Sequence, residues 1–194
     1  MKIGVLALQG AVAEHMRSIE AAGGQAVAVK TIDQLAELDG IIIPGGESTT
    51  IGKLMRKYGF VEALQQFSAQ GKPLFGTCAG LIVLAERIAG DEEAHLKLMD
   101  ITVARNAFGR QRESFETDLT VEGIEESVRA VFIRAPLIVD VGSAVQVLST
   151  YKGEIVTARQ GHLLGCSYHP ELTDDYRLHA YFLEMAREAA VQVN

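Results

Sequence analysis

The sequence predicts an α/β fold: one domain over residues 1–194, with a mostly parallel sheet flanked by helices and antiparallel additions in its second half. Three observations predict it. Up to residue 88, short apolar runs rich in β-branched residues alternate with stretches of helical periodicity. From about residue 100 onward the segments are mostly strand-like. The chain has 194 residues, 48% of them hydrophobic, which suits one sizeable core and leaves little for a second.

The elements follow in order. "KIGVLAL" (2–8) is a buried strand, and Val12, Met16 and Ile19 then fall at helical spacing until Gly23-Gly24 stop the helix. The stretch "MKIGVLALQGAVAE" has a lysine, an apolar run and Ala11-Val12-Ala13. Gln9-Gly10 interrupt the run, so it reads as strand and helix rather than as a signal peptide. "QAVAVK" (25–30) is a second strand, and "TIDQLAEL" a short helix with Thr31 or Asp33 as its cap. "GIIIPGG" (40–46) is a third strand running into a glycine turn, followed by a long helix bent near Gly59. "KPLFGT" (72–77) is a fourth strand and "GLIVLAERI" (80–88) the helix after it. The loop "AGDEEAH" (89–95) reads as exposed, its charges solvated. "ITVARNAF", "SFETDLTVEG", "RAVFIRA", "AVQVLSTYKGEIVTARQG" and "HLLGCSYHP" are strand-like, with Lys152-Gly153 as the tightest hairpin signal. A closing helix carries Leu178, Phe182, Met185 and Ala189 on one face.

A formal net charge of −7 repels nucleic acid and anionic lipid, so neither is an expected partner. No apolar stretch approaches the roughly 20 residues of a membrane span. Two cysteines are too few for a disulfide framework, and a reducing, cytoplasmic setting fits them better.

In such sheets the ligand sits beyond the carboxyl ends of the strands. The glycine turns at 44–46 and 76–80 therefore face one crevice. Strand, Gly76-Thr77-Cys78-Ala79-Gly80, helix is the cysteine version of a nucleophile elbow. The flanking glycines avoid collisions with neighbouring backbone, and the helix start favours a thiolate at Cys78. The N–H of Ala79 then points where an oxyanion would form. Taken alone, the turn fits a buried cysteine as well.

Of five histidines, His15 and His179 are expected on helix surfaces, His95 in the acidic loop, and His162 as a satisfied core residue. His169, in "SYHPEL", ends the last strand at the same sheet edge as Cys78. Pro170 keeps it extended, which puts Glu171 on the same side of the chain. Cys78, His169 and Glu171 thus form a candidate nucleophile, base and orienting acid. Cys166 and His169 have C-x-x-H spacing, a poor metal site without a second pair, so no metal is expected and Cys166 reads as core. "PGGEST" (44–49) fails the phosphate-loop pattern, since five residues separate Gly46 from Gly52 and Leu54 follows Lys53. It reads instead as a turn offering the Gly46 N–H to an oxyanion and Glu47 and Ser48 to a substrate, with Ser48 also able to cap the next helix.

"GTCAG" followed by "HPE" near the C-terminus resembles the class I glutamine amidotransferases. "GVLALQGAVAEH", "PGGEST", "RNAFGRQ" and "FIRAP" narrow the resemblance to their glutaminase subunits in pyridoxal 5′-phosphate synthases, nearly end to end. The resemblance implies a flavodoxin-like sheet and hydrolysis of L-glutamine to L-glutamate and ammonia through a Cys78 thioester. It implies an oxyanion site at the Gly46 and Ala79 N–H groups. It puts glutamine contacts at Gly46, Glu47, Ser48, Arg105, Ile133 and Arg134, and Arg105 suits a substrate that bears a carboxylate. No cofactor is implied. Free ammonia is protonated and lost in water, so a separate chain must collect it. The resemblance implies that this partner is the barrel-shaped synthase subunit, within a large hetero-oligomer. A stand-alone cysteine-dependent hydrolase or stress protein on a related fold is the alternative.

Overall fold

The computed structural model describes residues 1–108 and 114–192. Gly109, Arg110 and Gln111 of "RNAFGRQ" and the last two residues lie outside them.

Five parallel strands form the half of the sheet that carries the glycine turns. They are β1 (Lys2–Leu6), β2 (Gln25–Val29), β3 (Gly40–Ile43), β4 (Leu74–Thr77) and, much later in the chain, β12 (Leu163–Cys166). Their order, β2-β1-β3-β4-β12, is that of a flavodoxin-like sheet. The sheet continues from β12 through β11 (Glu154–Gln160) and β9 (Leu137–Val141) to β6 (Met99–Ala104) and β5 (Ala85–Ile88). β10 (Gln146–Tyr151) hairpins onto β11, and Lys152 and Gly153 both have positive φ (49° and 83°), as a tight hairpin requires. β7 (Ser114–Leu119) and β8 (Val128–Ile133) make a separate antiparallel pair.

Strand alternation divides the core between two faces. Leu6, Ile41, Ile43 and Leu74 point to one face, where they meet α2 (Ser48–Lys57), α3 (Phe60–Ala69) and α4 (Ala79–Leu84). Ile3, Val5, Ile42 and Phe75 point to the other, where they meet α1 (Val12–Ala21), α5 (Arg177–Gln192) and β8.

Several expectations need correction. The helix expected over 80–88 ends at Leu84. Ala85 turns extended (φ −61°, ψ 142°), and 85–88 becomes β5, paired in parallel with β6. The strand β9 has no counterpart in the sequence reading. The long bent helix is two helices, separated by Gly59 at φ 76°. Residues 32–37 are a 3-10 helix rather than an α-helix, with the Gln34 side chain reaching back to the Thr31 N–H at 3.1 Å. Glu47, not Ser48, caps α2, accepting from the N–H groups of Thr49 and Thr50.

Candidate active site

β4 delivers Cys78. Its N–H bonds the Cys166 carbonyl at 2.9 Å, and its backbone is forced to φ 51°, ψ −108°. That is a costly conformation for a residue with a Cβ, and such strain concentrates at functional sites. The flanking glycines are required sterically. A Cβ on Gly76 would strike the Gly80 carbonyl, and one on Gly80 would strike the Ile43 carbonyl. The elbow can therefore pack down onto β3 only with glycine at both positions.

β12, in register with β4 through Cys166 and Thr77, delivers the second half. Beyond it, the His169 N–H bonds the Val131 carbonyl of β8 at 2.8 Å. His169 Nδ1 lies 2.6 Å from Glu171 Oε1. The pairing is as expected, but the route differs. Residues 170–172 form a 3-10 turn with Pro170 in its first position, and this turn, not an extended chain, brings Glu171 back under the ring. Burial alone would lower the His169 pKa. Hydrogen bonds with Cys78 and Glu171, and their charges, outweigh it and raise the pKa to about 10.

Cys78, Ala79, His169, Gly46, Glu47, Ser48, Arg105, Ile133 and Arg134 all line one crevice of about 490 Å³. Glu171 stands behind His169 and is 5% exposed. Gly45 is where the facing turn packs directly against His169 and Cys78. A Cβ there would lie 2.5 Å from His169 Cε1 and 3.4 Å from Cys78 Cβ. The Ala11 N–H takes the Gly45 carbonyl at 3.2 Å, and the Glu47 N–H takes Gln9 Oε1 at 2.9 Å, so the β1–α1 loop fixes this turn. Ser48 Oγ is buried without a hydrogen-bond partner. The Ile133 carbonyl is 3.9 Å from Cys78 Sγ, and Arg134 follows at φ 46°. A stack of Phe115 on Phe132 (4.7 Å, 7°), extended by Tyr151 and Tyr168, supports this segment and the approach to His169 from beneath.

Arg105 is not simply solvated. It donates to Glu92 Oε2 at 2.8 Å and approaches Glu47 Oε1 at 3.5 Å. Residues 91–93 of loop 89–95 are exposed as expected, with Glu92 also pairing with Arg105 and Glu93 lying 3.9 Å from Arg56 at the surface. Glu47 has its pKa lowered to about 2 by the Thr50 hydroxyl and by the N–H groups it caps.

His15 and His179, expected at the surface, are 0% and 1% exposed. The signal was present in the spacing, since His15 falls between Val12 and Ile19 on the apolar stripe of α1, and His179 sits three residues before Phe182. His162 is half-buried and bonds Ser68 Oγ at 2.8 Å, the satisfied role expected of it. His95 is half-buried as well, packed over Gly52. Cys166 is fully buried core, and burial pushes its pKa well up. Both cysteines are free thiols. Among the described residues no group of three or more potential metal ligands occurs, and no helix is long and apolar enough to cross a membrane.

Fold and crevice together define an α/β protein built around a glycine-flanked cysteine elbow, with a buried His–Glu pair against the cysteine. The chain belongs to the SNO glutamine amidotransferase family, whose model matches residues 5–188. It is 75% identical over 97% of its length to the pyridoxal 5′-phosphate synthase subunit PdxT of Niallia circulans, all of which is covered. It is 67% identical, over 97% of this chain and 98% of the relative, to the protein of that name in Geobacillus sp. (strain WCH70). A solved glutamine amidotransferase superposes with a TM-score of 0.92 at 49% identity, covering 95% of this chain and 98% of that one. A putative GMP synthase component from Thermoplasma acidophilum shares the fold (TM-score 0.70, 16% identity, 100% and 98% covered).

Proposed function

We propose that this chain, as one glutaminase domain over residues 1–194, hydrolyses L-glutamine to L-glutamate and ammonia as the glutaminase subunit of a pyridoxal 5′-phosphate synthase. The observation that carries the chemistry is the meeting of Cys78, at a strained elbow, with His169, whose Nδ1 is held 2.6 Å from Glu171 Oε1. The names of its close relatives support the pathway.

Cys78 Sγ attacks the side-chain amide carbon, and the carbonyl oxygen becomes an oxyanion received by the N–H groups of Gly46 and Ala79. His169, carrying the proton of the Cys78 thiol, protonates the departing nitrogen, so the amide C–N bond breaks, ammonia leaves and a thioester remains on Cys78. His169 then takes a proton from water as that water attacks the thioester and returns it to the departing sulfur, releasing glutamate and the thiol. Glu171 holds His169 Nδ1–H and balances the imidazolium. Ser48 Oγ, buried and unpaired, is ready for a polar group of the substrate. Arg105 and Arg134 supply positive charge for its α-carboxylate, which exchanges with Glu92 on Arg105. Glu47 offers negative charge to the α-ammonium, and the Ile133 backbone borders the reacting sulfur. No cofactor or metal enters this chemistry.

The ammonia passes to a barrel-shaped synthase subunit docked over the crevice in a large hetero-oligomer, within the cytoplasm, and neither nucleic acid nor membrane is involved. The test is ammonia release from glutamine by purified wild type and Cys78→Ser, each with and without the synthase subunit. Release by wild type alone of the two, rising when the synthase is added, is expected. Full activity without a partner supports the stand-alone hydrolase instead, and release by Cys78→Ser rejects the mechanism.

A further inference from the structure

Behind the candidate triad lies a buried polar chain that the mechanism above does not use. Glu171 presents Oε1 to His169. Its other oxygen, Oε2, is buried without a hydrogen-bond partner, and faces His15 Nε2 at 3.5 Å. The same His15 nitrogen lies 3.0 Å from Oγ1 of Thr77, the residue before Cys78. His15 Nδ1 lies 2.9 Å from His179 Nε2, and His179 Nδ1 has no partner. Thr77, His15 and His179 are each at most 1% exposed.

Both histidines are neutral. Burial, then the neighbouring His179 and His169, holds the His15 pKa well below its ordinary value, and burial lowers that of His179 to about 4. A neutral imidazole has one donor and one acceptor nitrogen, so the chain has two possible senses. In one, His15 carries its proton on Nδ1 and donates to His179. His179 Nδ1 is then a buried N–H with no acceptor, and a His15 lone pair points at a carboxylate; both are unfavourable. In the other, His179 donates from Nε2 to His15 Nδ1, and His15 carries its proton on Nε2, toward Thr77 Oγ1 and Glu171 Oε2. Only one acceptor, His179 Nδ1, is then left bare.

We propose that His15 is a positioning residue of the glutaminase site: its Nε2–H, shared with Thr77 Oγ1, is the donor that holds the second oxygen of Glu171, and His179 locks the tautomer this requires. The proposal rests on the triad reading above. At 3.5 Å the contact is longer than a formed hydrogen bond. Catalytic hydrogen bonds are often long in a free enzyme and tighten in the working complex. A carboxylate held at both oxygens has a fixed plane, and so fixes the ring of His169 against Cys78. Held at Oε1 alone, it can rotate and let the ring drift.

Two measurements test this on the full chain with the synthase subunit. In wild type labelled with nitrogen-15 histidine, NMR should find His15 protonated at Nε2 and bare at Nδ1. A His15 protonated at Nδ1 overturns the proposal without need of any variant. In steady-state kinetics, His15→Leu should lower kcat about 10- to 100-fold with KM little changed, the scale of a ring displaced by about 1 Å. His15→Gln, whose amide nitrogen reaches the Nε2 position, should recover most of the loss. A merely structural role would lower stability without this split or this rescue. Wild-type kcat in folded His15→Leu, or a Gln variant as impaired as the Leu one, overturns the proposal. Cys78→Ser separates the failures. If it is inactive while His15→Leu is unimpaired, only the present inference falls. If it remains active, the triad reading falls and takes this inference with it.

Discussion

Cys78 holds a positive φ that residues with a Cβ rarely adopt, and the conformation lifts its sulfur toward His169. Cys78→Ser should therefore fold normally and lose glutamine hydrolysis, because a hydroxyl is a far weaker nucleophile at the same place. Cys166→Ser should keep most activity, since Cys166 packs in the core, where its thiol donates to the Tyr168 carbonyl. Ammonia assays on both variants check this contrast. His169→Asn removes the proton carrier and should cost about 100- to 10,000-fold in kcat. Glu171→Gln should cost less, since an amide oxygen still accepts from His169 Nδ1, although its NH2 then meets His15 Nε2. Equal losses, or the reverse order, would give Glu171 a further role. The pH dependence has a definite sign. His169 is raised to about 10, so its contribution to stability is complete below about pH 6.5 and disappears as pH rises through about 10. In Glu171→Gln the raising effect of the Glu171 charge is lost, while the hydrogen bond is kept. The His169 pKa, followed by NMR titration, should fall, and the stability gap to wild type should narrow across that window.

Among the elements, the elbow depends on the contact of α4 with β3. Gly80→Ala would drive a methyl into the Ile43 carbonyl, which is backbone and cannot swing aside. A loss of about 1–3 kcal/mol or more is expected, read as a lower denaturation midpoint. The facing turn behaves differently, because Gly45 and Gly46 can reorient their peptide cheaply. In the chain by itself the Ala11 N–H fixes the Gly45 carbonyl at 3.2 Å. If the proposed synthase subunit docks near Gln9 and Gly10, it can change that anchor and select the orientation in which the Gly46 N–H serves the proposed oxyanion. Losing one such donor costs about 100- to 1,000-fold. The free subunit should thus be a poor glutaminase that the synthase accelerates, and equal steady-state rates with and without it would refute the switch. These elbow and turn residues were legible because glycine permits close backbone approach, proline fixes φ, and a scarce cysteine stood between two glycines. The first four strands and the Lys152-Gly153 hairpin were legible from period and turn chemistry. β5 and β9 were not. "AERI" continues a helical stretch without a break, and its extended form is decided by pairing with β6, on the far side of the intervening loop. Ser48 is the cap that residue type favours, and only the Thr49 and Thr50 N–H geometry selects Glu47. His15 and His179 were misread because a polar side chain on an apolar stripe finds its reason only in a partner from another helix.

Across the whole molecule, α1 and α5 cover one face of the sheet and bury two neutral imidazoles between them and Thr77. His179 has its pKa depressed to about 4, so its contribution is present above about pH 6.5 and is lost as pH falls through about 4. A shift of that size corresponds to roughly 3 kcal/mol at about 1.4 kcal/mol per unit. Acid should therefore destabilise the protein over this range, and His179→Gln should flatten the dependence, as denaturant midpoints measured at several pH values will show. The order of strands carries a consequence for biosynthesis. β4, which leads into Cys78, pairs Leu74 with Leu163 of β12, the last of the described strands along the chain. Until the ribosome has released that strand, the growing polypeptide carries an apolar β4 with one side of its hydrogen-bonding groups unpaired, an invitation to aggregate. A chain stopped after β11 should therefore collect in inclusion bodies although it already contains Cys78, and supplying the segment from β12 through α5 as a separate peptide during refolding should restore solubility.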